Sequence, residues 1–429
     1  MRKIFQYILM AVAVVVTTSC SNELDEALQS VGNGTLQFVV SDFPAFGESR
    51  LTRVIGTQDE GKTAWANEDK ILVHLYSPKY RDQAVTLTFD AENNTWESDG
   101  GTLSYLENET PTITAVYAPD CEIKLDKTIG LLEGKKYGEA EYILARTTIS
   151  GNTLDISFES GRTYSRLRIA GLANQTLTVT TTDFTPAGAT EVATAAYTLT
   201  TDNNGNAFLY GLFAKDATVS VKQGDVVLKD YTFTSATETG ESYALDATPV
   251  IDGTLGGKTE ATEDDITALV EQLKEYVDNG ITTIIVPGSQ PATIDMGLWI
   301  NTAVGEAIYR LSKEESYDGK IDLILPDVTE IVDQEFDGAH ALNSINLPKV
   351  TTVGDGAFYD CQYLEELTFG SVVTAINHNT RAEFHRVGEK VEGCDLVLNR
   401  EQVNAEADYQ PNIETRTWWN TEWKSITLK

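Results

Sequence analysis

Basic residues are scarce in this chain. Its 429 residues hold 32 Lys and Arg against 65 Asp and Glu, a formal net charge of −33. Nucleic acid and anionic lipid are bound through Lys and Arg at phosphates, so this balance argues against both as partners. Histidine is scarcer still: His74, His340, His378 and His385 are the full set, and the last two lack the spacing of a helical metal pair. The four cysteines show no CxxC spacing, which speaks against a disulfide framework or a zinc site. A Gly-rich phosphate loop, GxSxG and HExxH are all missing. With 65 acids some carboxylate pairs arise by chance, so none marks a glycosidase. The chain is expected to be no enzyme, with no catalytic residue, metal or cofactor.

Long apolar runs are also lacking, except at the start. Arg2 and Lys3 precede an apolar run over residues 4–16. A bilayer needs about 20 apolar residues, so the run is a secretory h-region and not a membrane helix. Thr17-Thr18-Ser19-Cys20 follows and resembles a bacterial lipobox, with Thr17 where a leucine usually stands. The resemblance implies removal of residues 1–19 and acylation of Cys20. Two or more acyl chains are enough for stable anchoring to the outer membrane. Ser21-Asn22-Glu23-Leu24-Asp25-Glu26 resembles the export signal of Bacteroides-type surface lipoproteins, and a solvated linker reads equally well from its composition. The localisation expected is the cell outer membrane, lipid-anchored and surface-exposed.

An apolar share of 41% supports real cores, and the length predicts about two to four domains. The expected fold is mainly β and multidomain: two antiparallel β-sandwich domains, an α/β segment and a short leucine-rich-repeat solenoid. The boundaries are 1–19 for the signal peptide, 20–34 for a linker, 35–148 and 149–252 for the β-domains, 253–320 for the α/β segment and 321–429 for repeats with a cap. Alternation at 36–40, 71–76, 85–89 and 113–117 gives the first strands, and 154–158, 167–169, 177–179, 207–210 and 219–221 the second set. Asp202 to Asn206 lacks the acid spacing of a calcium loop and is expected to be a hairpin turn.

The order Arg50-Leu51-Thr52-Arg53, Trp65, Asp69-Lys70-Ile71, Trp96 and Tyr117-Ala118-Pro119 resembles the N-terminal domain of the fimbrillin-like family. Core packing is the expected role of Trp65 and Trp96. The resemblance implies assembly by strand exchange after proteolysis behind an arginine, with Arg50 or Arg53 suitably placed. A donor strand is not evident at the C-terminus, so a tip subunit is the compatible form.

Beyond residue 252 the period changes. Thr262 and Asp265 form a capping-box pattern ahead of Ile266, Leu269, Val270, Leu273 and Val277, one helical stripe that Asn279-Gly280 ends. Ile300, Val304, Ala307, Ile308 and Leu311 mark a second helix. Then a self-match appears at a period of 22: Leu325-Pro326-x-Val328-Thr329 returns as Leu347-Pro348-x-Val350-Thr351, and Asp333, Phe336 and Leu342 as Asp355, Phe358 and Leu364. Gly356-Ala357-Phe358-x-x-Cys361-x-x-Leu364 resembles BspA-like leucine-rich repeats, with Glu335 and Ala339 standing in the first copy for Ala and Cys. Phe336 and Phe358 would be core wedges and Cys361 a buried thiol, free or bridged to Cys394. Trp418, Trp419 and Trp423 are expected to cap the solenoid, with a sugar-stacking platform as the alternative.

Both resemblances imply adhesion: a non-enzymatic surface protein attaching to an extracellular protein or glycan. The alternatives are a fimbrial subunit or tip, whose partners are other fimbrial subunits, and a glycan-capturing lipoprotein.

Overall fold

The computed structural model describes residues 36–44, 47–48, 62–106, 109–158, 162–288, 292–293, 300, 302–377 and 383–429. The segments 1–19 and 20–34, with Cys20, lie outside the described residues, as do Arg50, Arg53 and His378.

Period-two alternation builds the first layer. Lys70–Ser77, Arg81–Asp90, Thr95–Ser98, Thr112–Tyr117 and Ile143–Leu144 form a five-stranded antiparallel sheet. Ile71, Val73, Leu75, Val85, Leu87 and Phe89 are buried on its inner face. The facing layer gathers distant parts of the chain. Gln37–Val40 runs parallel to Thr153–Ser157, which pairs antiparallel with Arg146–Ser150. The sequence pattern assigned residues 154–158 to the second block, whereas the structure places them here. Leu154, Ile156 and Phe158 cover apolar surface that the five-stranded sheet alone leaves open.

The second block is one eight-stranded sheet. Thr176–Pro186 serves several partners: its first half pairs with Ala193–Thr200 and Thr218–Gln223, and its end with Asn206–Phe213. A bulge between Thr181 and Phe184, with Asp183 at φ 47°, bends the strand so the sheet folds over Leu177, Val179, Phe184, Leu209 and Phe213. Ser165–Ala170 lies parallel to Glu241–Asp246. This pairing and that of Gln37–Val40 depart from the purely antiparallel expectation, because alternation sets which face is buried but not which distant strand lies alongside. Residues 202–206 are a tight turn, in which Asp202 Oδ1 accepts from the backbone of Asn204 and Asn206 at 2.8 and 2.9 Å. The expected hairpin is absent, because the strands it joins, Ala193–Thr200 and Asn206–Phe213, each pair with Thr176–Pro186 and not with each other.

The C-terminal part has one core, running from Val226 and Ile251 to Trp423. Helix α1 (Glu263–Asp278) starts with the capping box of Thr262 and Asp265, and buries Ile266, Leu269, Leu273 and Tyr276. Helix α2 (Ala303–Leu311) buries Val304, Ala307, Ile308 and Leu311 beside it. Six strands then stack in parallel: Thr283–Ile285, Ile321–Ile324, Leu342–Leu347, Glu366–Phe369, Asp395–Leu398 and Ser425–Leu428. Ile284, Leu323, Ile345, Leu367, Leu396 and Ile426 align in one inward row. The α/β segment 253–320 therefore supplies the first rung as well as leading into the repeats. The rungs also continue past the point where the 22-residue signature fades, as the spacing along this row stretches to 29 and then 30 residues.

A second inward row is aromatic. Phe336, Phe358 and Phe384 stack at centroid distances of 5.7 and 5.8 Å, each nearly or fully buried. Trp418 and Trp423 close the end of this row at 5.7 and 5.3 Å from Phe384. Gln334 and Gly356 occupy equivalent places in the repeat and both are left-handed, at φ 58° and 66°, the geometry for which glycine is the default. Cys361 and Cys394 are free thiols held in the protonated form by burial.

Glu335 stands where the next repeat carries Ala357. It is wholly buried, accepting from the Val332 amide at 2.9 Å and from the Thr302 hydroxyl at 3.2 Å. Burial pushes its carboxyl up from 4.5 to about 7, against the two hydrogen bonds that favour the charged form. A raised acid binds its proton more tightly in the folded state, so its contribution to stability is intact below 4.5 and is lost as pH rises through about 7. Glu335→Gln is expected to stabilise the fold by up to about 3 kcal/mol at about pH 8, and to change little near pH 4, in paired urea melts. Trp418→Ala should cost about 3–5 kcal/mol. Amide exchange should rise first in Asp395–Leu398 and Ser425–Leu428, while Lys70–Ser77 keeps its protection.

Candidate functional site

The parallel sheet turns one side inward and leaves the other to solvent. Its outward positions follow from the register: Asp322, Ser344, Glu366, Asp395 and Ser425 form one row, and Ile324, Asn346, Thr368, Val397 and Thr427 the next. All but Val397 are at least partly exposed. Asp322 is tied down by Asn343 Nδ2 at 2.8 Å and Ser344 Oγ at 2.7 Å, and Asp395 by Ser425 Oγ at 2.7 Å and Lys424 Nζ at 3.3 Å. The row is thus a fixed pattern of carboxylates and hydroxyls on a flat surface. Glu366 and Asp395 stand side by side on neighbouring strands.

A second polar cluster lies where the first sandwich meets the eight-stranded sheet. Lys62 donates to Asp69 and, at 2.7 Å, to the Tyr117 hydroxyl, and lies over the rings of Phe43, Trp65 and Tyr117 at 4.5 to 5.8 Å. Asp69 also accepts from the Ala66 amide at 2.6 Å. Trp65 packs edge-on to Phe43, Trp96 and Phe158, so both tryptophans of the landmark pattern are packing residues. Nearby, Glu141 pairs with Arg162 at 3.4 Å, and burial raises its carboxyl above the usual range despite that cation. A cleft of about 600 Å³ opens here, lined among others by Lys62, Tyr117, Glu141, Arg166 and Tyr210. Its charges are largely matched internally, which makes it a joint between two units.

A third feature is the C-terminal hairpin. Thr417–Trp418 and Thr421–Glu422 are joined by Trp419 and Asn420, both left-handed at φ 48° and 58°. This is the backbone of a type I′ turn, normally filled by Asn or Gly, and a bulky side chain there costs about 1–2 kcal/mol. Unlike Trp418 and Trp423, which are buried, Trp419 is half-buried. It stacks on Tyr409 at 5.2 Å with the rings 5° from parallel. A cleft of about 530 Å³ beside it is lined by Asp408, Gln410, Asn412, Thr417, Trp418, Trp419 and Asn420. Capping thus accounts for two of the three tryptophans.

Among the described residues no group of three or more His, Cys, Asp or Glu is placed to hold a metal ion. The described histidines stand apart: His74 pairs with Asp82 at 2.9 Å, His340 lies 3.5 Å from Asp360, and His385 packs on Tyr359. No described helix is long and apolar enough to cross a membrane.

Residues 320–386 match the family model of the BspA type leucine rich repeat region, in six copies. The chain carries BspA-like repeats. They coincide with the middle rungs of the parallel sheet and with the Phe336 and Phe358 stack. No curated protein matches the chain. Among solved structures, a fimbrial protein from Bacteroides ovatus ATCC 8483 is similar at 10% identity and a TM-score of 0.25, over 50% of this chain and 49% of its own. A candidate cell adhesion protein from the same organism is similar at 15% identity and a TM-score of 0.24, over 43% and 83%. The chain spans about half the length of the fimbrial protein it matches. Likeness at this level fixes neither fold nor function.

Like charges side by side on neighbouring strands destabilise a sheet. Glu366→Thr should therefore raise stability by a few tenths of a kcal/mol, about 1–2 °C in Tm. The gain should shrink in high salt, since both carboxylates face solvent.

Proposed function

We propose that this chain is a non-enzymatic adhesin, lipid-anchored at Cys20 on the outer membrane and exposed at the cell surface. It holds an extracellular protein or glycan against the outward face of its repeat sheet. The observation that carries this reading is that face: six parallel strands set a rigid polar surface about 24 Å across, with Asp322, Ser344, Glu366, Asp395 and Ser425 in register. Such a surface is ordered before it meets a partner, so little entropy is lost at contact. The carboxylates favour a ligand with donors, such as amides, hydroxyls or basic side chains. The lipobox resemblance at Cys20 and the acidic segment behind it support the location.

A second reading, a fimbrial subunit or tip, is favoured by Gln37–Val40. This edge strand is held by one parallel ladder and lies N-terminal to Arg50 and Arg53. Cleavage at either arginine would separate it from the remainder of the chain and free one side of Thr153–Ser157 for an incoming strand.

The test uses cells expressing the full chain: the N-terminus of the mature protein, its size on an unboiled blot, and adherence of the cells to immobilised extracellular protein and polysaccharide. The adhesin reading expects a monomer starting at acylated Cys20, removed by protease added to intact cells. It also expects adherence to fall when Glu366 and Asp395 are both replaced by Lys. A ladder starting after Arg50 or Arg53 would establish the fimbrial reading instead. A protein shielded from added protease would overturn both.

A further inference from the structure

We infer that the cleft at the C-terminal hairpin is a binding site for a neutral saccharide, separate from the face of the repeat sheet. Three independent features converge on it.

The first is the placement of Trp419. The solenoid is closed by Trp418 and Trp423 against Phe384, so closure does not require a third indole. Trp419 nevertheless occupies the first position of a two-residue turn at φ 48°, where a small or amide side chain is the comfortable choice. Such strain persists where the surroundings over-determine it, and it clusters at ligand sites.

The second is preorganisation. The indole lies flat against Tyr409, at 5.2 Å and 5°. Its Nε1 donates at 3.2 Å to Oε2 of Glu383, an almost fully buried residue. Trp419, which lines the cleft, is therefore fixed before any ligand arrives, which lowers the entropy lost on binding. A flat indole matches the C–H face of a pyranose ring.

The third is the polar complement. Among the described residues, no group hydrogen-bonds the Asp408 carboxylate, the Asn420 side chain or Asn412 Nδ2, and all three residues line the cleft. Gln410 uses its Nε2 on the Ala405 carbonyl at 2.7 Å. The cleft thus sets acceptors and donors around an aromatic surface, the pattern that vicinal hydroxyls satisfy. Its volume of about 530 Å³ falls within the range of about 300–1,000 Å³ usual for ligand sites. Asp408 in the lining and the net charge of −33 disfavour uronic or sulfated sugars, which leaves neutral ones.

The experiment applies the purified full chain to an array of neutral and acidic glycans, then titrates the retained glycans by calorimetry and tryptophan fluorescence. Neutral glycans should be retained and should perturb the fluorescence. Trp419→Ala should weaken binding roughly thirtyfold. Because that change could loosen the hairpin, Asn420→Gly serves as the second variant: it suits the left-handed backbone and should keep or raise the Tm while weakening binding through loss of the amide. Retention of acidic glycans alone, of no glycan, or of neutral glycans equally well by both variants would overturn the inference. The adhesin reading is scored separately, by adherence of cells carrying the Glu366 and Asp395 replacements.

Discussion

The C-terminal half depends on one constraint: no rung of the solenoid can bury its own apolar face. Ile345 and Phe336 are shielded only because Leu323 and Leu367 lie on either side of the one, and Phe358 beside the other. Everything else at this end follows. The first rung needs a cover, which helices α1 and α2 provide. The last needs one too, and two indoles meet Phe384 there. The long loop after Leu398 is pinned to the preceding rung by Gln402, fully buried, which donates to the Val373 and Tyr409 carbonyls at 3.0 and 2.9 Å and accepts from the Val373 amide at 2.8 Å. A buried amide with these three bonds substitutes for the backbone ladder that the longer loop interrupts.

The β-domains meet a different problem, joining segments far apart in the chain. The first sandwich is finished only when Gln37–Val40 and Thr153–Ser157 come together. The Lys62, Asp69 and Tyr117 cluster sits close to that closure, beside Phe43 and Phe158. Its charges lie against aromatic rings and answer one another, so the cluster favours one relative placement of its segments over others.

Much of this was legible in the sequence, for reasons that can be named. The capping box at Thr262, the stripe from Ile266 and the phenylalanine repeat are local, and local patterns survive without knowledge of neighbours. Strand direction was not legible, because Leu154–Phe158 alternates identically whether its partner runs up or down. Beyond Leu367 the repeats were legible only as a region reaching to 429, without their rung spacing, because insertions spoil the period while leaving the inward row intact. Glu335 was visible as a departure from the repeat, though not as a buried acid. The Trp419 cleft was half visible: three clustered tryptophans suggested a cap or a platform, and their separate burial places Trp418 and Trp423 in the core and leaves Trp419 half-buried.

The 22-residue register between Ile345 and Leu367 also has a bearing on how such a protein changes over generations. Each rung meets only its neighbours, and the two sheets advance together, Ile331 beside Val353 as Leu323 beside Ile345. Duplicating one such unit inserts a strand into each sheet, lengthens the outward face by about 4.8 Å, and leaves both covers and the joint to the β-domains as they were. The molecule is in this sense a ruler whose length can be edited in whole marks.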